Sequence, residues 1–183
     1  MVLPDSIDRY PDWVTDTSTT AASEHNIHIF GPYRGEYFDI IQSIAKYLRD
    51  HGYDGAKLCS ELPDHPQPVG MSEGEKNWWE SVNCMHTADA AVFLFLEPEE
   101  NRLNGAPKEG LNSSAFAELT YWVQFFAHKK EGTLIVYEGD MDKVGSLISG
   151  LVEIGDCTDF TVDMGEIEKI RNSVLTTCIE WMQ

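Results

Sequence analysis

Glu118 is the one charged residue in the stretch GLNSSAFAELTYWVQFFA, Gly110–Ala127, of a chain otherwise rich in carboxylates. Its neighbours at helical spacing are Ser114, Ala115, Tyr121, Trp122 and Phe125, a largely apolar stripe. A lone carboxylate there is costly unless a polar or charged group meets it. Held in a crevice, such a group can attack as a nucleophile or stabilise a cationic centre. Ser113 or Ser114 can cap the helix by accepting a bond from a free N–H of its first turn. With Ser114 as the cap, Glu118 falls one residue past the capping-box position, so capping does not account for it. The plain alternative is a half-exposed glutamate favoured by the helix dipole.

A second set of chemistry-bearing residues lies in Gly31-Pro32-Tyr33-Arg34-Gly35. Gly31 and Gly35 allow a sharp loop that turns backbone N–H groups toward an anion at a helix N-terminus. Arg34 adds a planar fork suited to phosphate or carboxylate. The same loop also fits a plain turn with a surface arginine. Tyr33 sits on the loop itself, whereas His28 precedes it in an apolar run and reads as a core histidine. Glu80 lies on another helical segment and points either into the crevice or out to solvent. Trp78 and Trp79 read as packing residues, one of which can stack on a base. Asp89 reads as a turn or capping residue.

The elements that must position these groups follow from periodicity and punctuation. Asn26–Phe30 is short and β-rich and runs into the glycine loop. Tyr37, Ile40, Ile41, Ile44 and Leu48 then repeat at helical spacing, with Gly52 as the residue that ends the helix. Ala56–Cys59 is a weak second strand, and the prolines at 63, 66 and 68 mark a loop or lid. Ser72-Glu73-Gly74-Glu75 forms a capping box and opens a helix through Met85. Ala90–Leu96 is an unbroken apolar run, as expected of a strand covered on both faces. A polar loop, Glu97–Asn112, leads to the Glu118 helix, which Gly132 is expected to stop. Thr133–Tyr137, Val144–Leu151, Phe160–Val162 and Glu166–Met182 follow as strand, helix, strand and helix.

This alternation predicts an α/β, flavodoxin-like three-layer sandwich with a five-stranded parallel sheet in the order 2-1-3-4-5. In that order the first and third strands are neighbours, and ligands bind beyond their carboxyl ends. The loops there are Gly31–Gly35 and Glu97–Asn112, which puts Glu118 at the crevice. Residues 1–25 read as an N-terminal arm, partly disordered, and 26–183 as the domain.

Composition excludes some functions. The chain has 31 acidic and 13 basic residues, a net charge of −18. Nucleic-acid binding needs a basic face, so no nucleic-acid partner is expected. Dispersed acids with few cations suit a halophilic source, where salt screens self-repulsion. The start MVLPDSIDRYPDW lacks the basic and apolar parts of a secretion signal, and no stretch reaches transmembrane length. A cytoplasmic protein without a membrane partner is the expectation. Cys59, Cys84, Cys157 and Cys178 contain no C-x-x-C pair and are expected as buried free thiols. Cys84 with His86 is too little for zinc, so no metal is expected.

Together, HIFGPYRG (His28–Gly35), ADAAVFLFL (Ala88–Leu96), SAFAELTY (Ser114–Tyr121) and VGSLISG (Val144–Gly150) resemble a known superfamily. It comprises the nucleoside 2-deoxyribosyltransferases and the 2′-deoxynucleoside 5′-phosphate N-hydrolases, and the likeness runs over about Asn26–Met182. The resemblance implies a flavodoxin-like fold, a homodimer or higher oligomer, and a nucleotide or nucleoside ligand. It implies that Glu118 attacks the anomeric carbon and that Gly31, Arg34 and Gly35 bind a 5′-phosphate. The first-strand tyrosine of the hydrolases falls on His28. A helical aspartate that assists catalysis falls on Ser81, with Glu80 beside it. Ser113, Ser114 and Ala115 replace glycines before the glutamate.

The activity implied is N-glycosidic bond cleavage or transfer, with Glu80 or Tyr33 protonating the leaving base and no cofactor. The alternatives are a non-catalytic nucleotide-sensing or partner-binding module of the same fold, and an NAD-consuming domain of the Toll/interleukin-receptor type.

Overall fold

The computed structural model describes residues 25–33, 35–63, 66–67, 69–96, 112–128, 130, 132–139, 146–163 and 165–181. The expected N-terminal arm, apart from His25, lies outside them, as do Arg34 and residues 97–111. Five strands form one parallel sheet: β1 (Ile27–Phe30), β2 (Lys57–Leu58), β3 (Ala90–Phe95), β4 (Gly132–Glu138) and β5 (Thr158–Val162). Their order is β2-β1-β3-β4-β5, as the alternation of strand and helix predicts. Ile27 faces Ala90 and Phe30 faces Phe93, so β1 and β3 run side by side to their carboxyl ends.

Among the described residues five helices cover the sheet: α1 (Glu36–Asp50), α2 (Glu73–Thr87), α3 (Ser113–Phe125), α4 (Ser146–Gly155) and α5 (Ile167–Trp181). Strand side chains alternate between the faces, and two separate cores result. Ile27, Ile29, Val92, Leu94, Leu134 and Val136 pack against Ile41, Ile44 and Leu48 of α1 and Ile170 and Val174 of α5. Phe30, Phe93, Phe95, Ile135 and Tyr137 face the other way, toward Val82 and Met85 of α2, Leu119 and Trp122 of α3, and Ile148 of α4. The chain turns toward opposite edges of the sheet after β1 and after β3, which makes their carboxyl ends the topological switch point, where such sheets bind ligands.

The helix boundaries follow local chemistry. Ser72 and Glu75 close the capping box that starts α2. At the end of α1, the Gly52 and Tyr53 amides donate to the Arg49 and Leu48 carbonyls, with Gly52 at φ 93°. Two expectations are corrected. Neither Ser113 nor Ser114 caps α3; Asn112 is the cap residue, and its amide instead brackets Leu96, accepting from its N–H and donating to its carbonyl. Gly132 is not a helix stop: it begins β4, where a Cβ would come within 2.1 Å of Trp181. Only glycine lets the indole lie on the strand.

A third correction concerns the thiols. Cys59, in a short 3-10 turn (Cys59–Glu61) after β2, and Cys84 of α2 are joined by a disulfide, with Cα atoms 5.5 Å apart. Cys157 and Cys178 are free, as expected. Among the described residues no helix is long and apolar enough to cross a membrane. None of their acidic, histidine and cysteine side chains gather into a group able to hold a metal.

Candidate functional site

α3 is apolar on almost every side that meets the body, with Ala115, Leu119, Tyr121, Trp122 and Val123 all buried. Glu118 is carried into this surface and is only 4% exposed. The Ser81 hydroxyl of α2 donates to its Oε1 at 2.7 Å. The other oxygen, Oε2, is buried without a hydrogen-bond partner. Burial pushes the Glu118 carboxyl up to about 7, with the Ser81 hydrogen bond pulling weakly the other way. Near neutral pH this group is therefore divided between its two protonation states.

Tyr33 is brought close enough for the Glu118 charge to raise its phenol, after burial, which is the larger cause. Its hydroxyl donates to the Ile29 carbonyl and accepts from the Cys59 backbone. A phenol raised in this way and aimed at a carbonyl is a brace for the loop and a poor proton donor. Gly31 is buried where a Cβ would meet the end of the Ile41 side chain at 2.9 Å and Leu94 at 3.3 Å, so a larger residue there needs Ile41 to give way. Gly35 has φ 52° and precedes α1 without a side-chain cap, its carbonyl accepting from the Phe38 amide at 3.2 Å. Ser113 and Ser114 are exposed on the first turn of α3.

Glu80 is not part of the cluster. It is exposed and accepts a hydrogen bond from the Gln67 amide at 2.8 Å. Its neighbour Ser81, one position on, is the residue that reaches Glu118. His28 is fully buried on β1, with Nδ1 donating to the Cys84 carbonyl at 2.8 Å and Nε2 unpartnered. Because a carbonyl only accepts, the proton is on Nδ1. Burial holds the ring down to about 4, so it stays neutral. Asp89 accepts from the backbone and side-chain N–H groups of Asn26 and ties the start of β1 to that of β3. Trp78 meets Tyr121 edge-on at 5.5 Å and joins α2 to α3.

Glu118, Ser81 and Tyr33 are therefore brought together, with the Cys59–Cys84 bond beside them. Ser81 was not singled out as a partner by the residues alone, because no local spacing links it to Glu118 across 37 positions. Comparison with protein-family models, curated proteins and solved structures finds no match.

Proposed function

We propose that the chain cleaves or transfers the N-glycosidic bond of a nucleotide or nucleoside, with Glu118 as nucleophile. The observation that carries this reading is a buried carboxylate at the sheet's switch point, one oxygen oriented by Ser81 and the other unpartnered. An unmatched buried acceptor costs about 1–3 kcal/mol, which a ligand or a developing positive charge recovers. In the reaction Oε2 forms a bond to the anomeric carbon as the bond to the base breaks. The electron pair leaves with the base, which takes up a proton from solvent; water or a second base then displaces the glutamyl ester, giving up a proton and restoring the Glu118 carboxylate. The Ser81 hydrogen bond keeps Oε1 fixed, so that Oε2 is the attacking atom. The α1 N-terminus is suited to a phosphate or a sugar hydroxyl.

The decisive experiment is incubation of the protein in molar salt with deoxynucleotides, nucleotides, nucleosides and NAD, followed by chromatography of free bases. Release of base by the native chain and its loss in Glu118→Ala is the expected result. Retained activity in Glu118→Ala removes Glu118 as nucleophile, and nicotinamide release from NAD alone redirects the reading to an NAD-consuming domain. A second reading, a nucleotide-sensing module, draws support from Ser81 standing where the resembled enzymes carry an acid. A sensor is stabilised in a thermal-shift screen by a nucleotide that is recovered unchanged.

A further inference from the structure

Three groups of the site, Tyr33, Ser81 and Glu118, meet at two elements that a covalent bond joins. Cys59 follows β2, and its backbone N–H reaches the Tyr33 hydroxyl. Cys84 lies one helical turn beyond Ser81 on the same side of α2. The Cys59–Cys84 bond thus fastens the turn that braces Tyr33 to the helix that delivers Ser81 to Glu118. Around Ser81, α2 is also held by Val82 and Met85, fully buried in the core, by the Trp78–Tyr121 edge contact, by the Ser81–Glu118 hydrogen bond and by the Cys84 carbonyl on His28. The 3-10 turn is held more lightly, by the partly exposed Arg49–Glu61 pair. Opening the bond therefore frees the turn, and the brace it gives Tyr33, from α2.

We propose that the Cys59–Cys84 pair is a dithiol–disulfide switch, operated by a dithiol reductant, that sets how closely the Tyr33 turn is held to α2 and so how far water reaches the Ser81–Glu118 pair. The inference concerns regulation of the site proposed above and rests on Glu118 being its functional group. Cys84 is fully buried while Cys59 is half-buried, so the reductant's thiolate attacks the Cys59 sulfur. The Cys59–Cys84 bond breaks and its electron pair passes to the Cys84 sulfur. His28 Nδ1–H lies 3.3 Å from that sulfur and turns to the departing thiolate, which then takes a proton from solvent. The reductant's second thiol displaces Cys59 and closes its own disulfide. The protein gains two electrons and two protons and the reductant loses the same. A buried neutral histidine beside one sulfur of the pair has no role in the glycosidic chemistry, and this gives it one.

The test uses the full chain, with dithiothreitol as the reductant. Maleimide counting after unfolding should find two thiols, Cys157 and Cys178, in the oxidised protein and all four after native reduction. The Glu118 carboxyl resonance, assigned with Glu118→Gln, should titrate about a pH unit or more closer to an ordinary carboxylate after reduction, because water reaches the loosened pair. Cys59→Ser should show the reduced titration with or without dithiothreitol. A thiol count that stays at two under native reduction overturns the switch. So does an unchanged Glu118 titration in the reduced protein. Because the readout is a carboxyl titration, the switch survives if no substrate is ever turned over, and falls independently if base release is found but reduction leaves Glu118 unmoved.

Discussion

Glu118 carries opposite consequences for chemistry and for stability, both set by its burial. Its ordinary value is 4.5 and the folded value about 7, so between these the native state holds a proton that the unfolded chain releases. Stability therefore falls as pH rises from about 4.5 through about 7, by on the order of 3 kcal/mol in full. Glu118→Gln keeps an acceptor for Ser81 and removes that ionisation. Its urea midpoint should exceed that of the native chain at pH 8, and the two should converge near pH 4. His28 acts with the reverse sign: its folded value of about 4 lies below 6.5, so its stabilising share is lost as pH falls through that interval. For the reaction, base release should rise with pH along a limb near 7. Ser81→Ala removes the bond that lowers the Glu118 carboxyl, so the pH–rate profile of that variant should move to higher pH. Glu118 was legible in the sequence because a single charge stood among apolar residues. Its partner was not, because a serine on an exposed-looking helix carries no local signal. Glu80 drew attention as the more chemical side chain, yet the roughly 100° between successive helical positions turns it to solvent and Ser81 inward.

At the scale of elements, two glycines of similar appearance in sequence have opposite roles. Gly74 lies in the first turn of α2, where an added Cβ would find nothing within 4 Å, whereas Gly132 holds Trp181 against β4. Gly132→Ala should lower stability by about 1–3 kcal/mol through forced displacement of the indole. Gly74→Ala should raise it by about 0.5–1 kcal/mol through helix propensity. Paired thermal denaturation curves separate them. The strands and helices themselves were legible from period and capping: the Ser72–Glu75 box and the Gly52 terminator stand where the residues place them. Gly132 was misjudged because its requirement comes from a tryptophan 49 positions away, as far beyond local reading as the disulfide. Closing the loop between Cys59 and Cys84 is worth about 3.5 kcal/mol in the chain-entropy account. The cysteine spacing alone gave no sign of their approach, since it was the β2 turn and α2 that brought them together.

For the whole molecule, the strand order followed from the regular alternation of elements, because parallel strands joined by right-handed crossovers leave few arrangements. The net charge of −18 adds a long-range term that no single contact reports. Raising salt from about 0.1 M to about 1 M shrinks the screening length from about 10 Å to about 3 Å. The melting temperature should climb over that interval and then flatten, as differential scanning calorimetry would record; a flat response throughout would show that the acids do not repel one another in the fold. The covalent ring closed by Cys59 and Cys84 has one more effect, on the chain as a polymer. A protease that cuts once between Ser60 and Asn83 severs the backbone without parting the molecule, and the two pieces separate on a gel only after reduction.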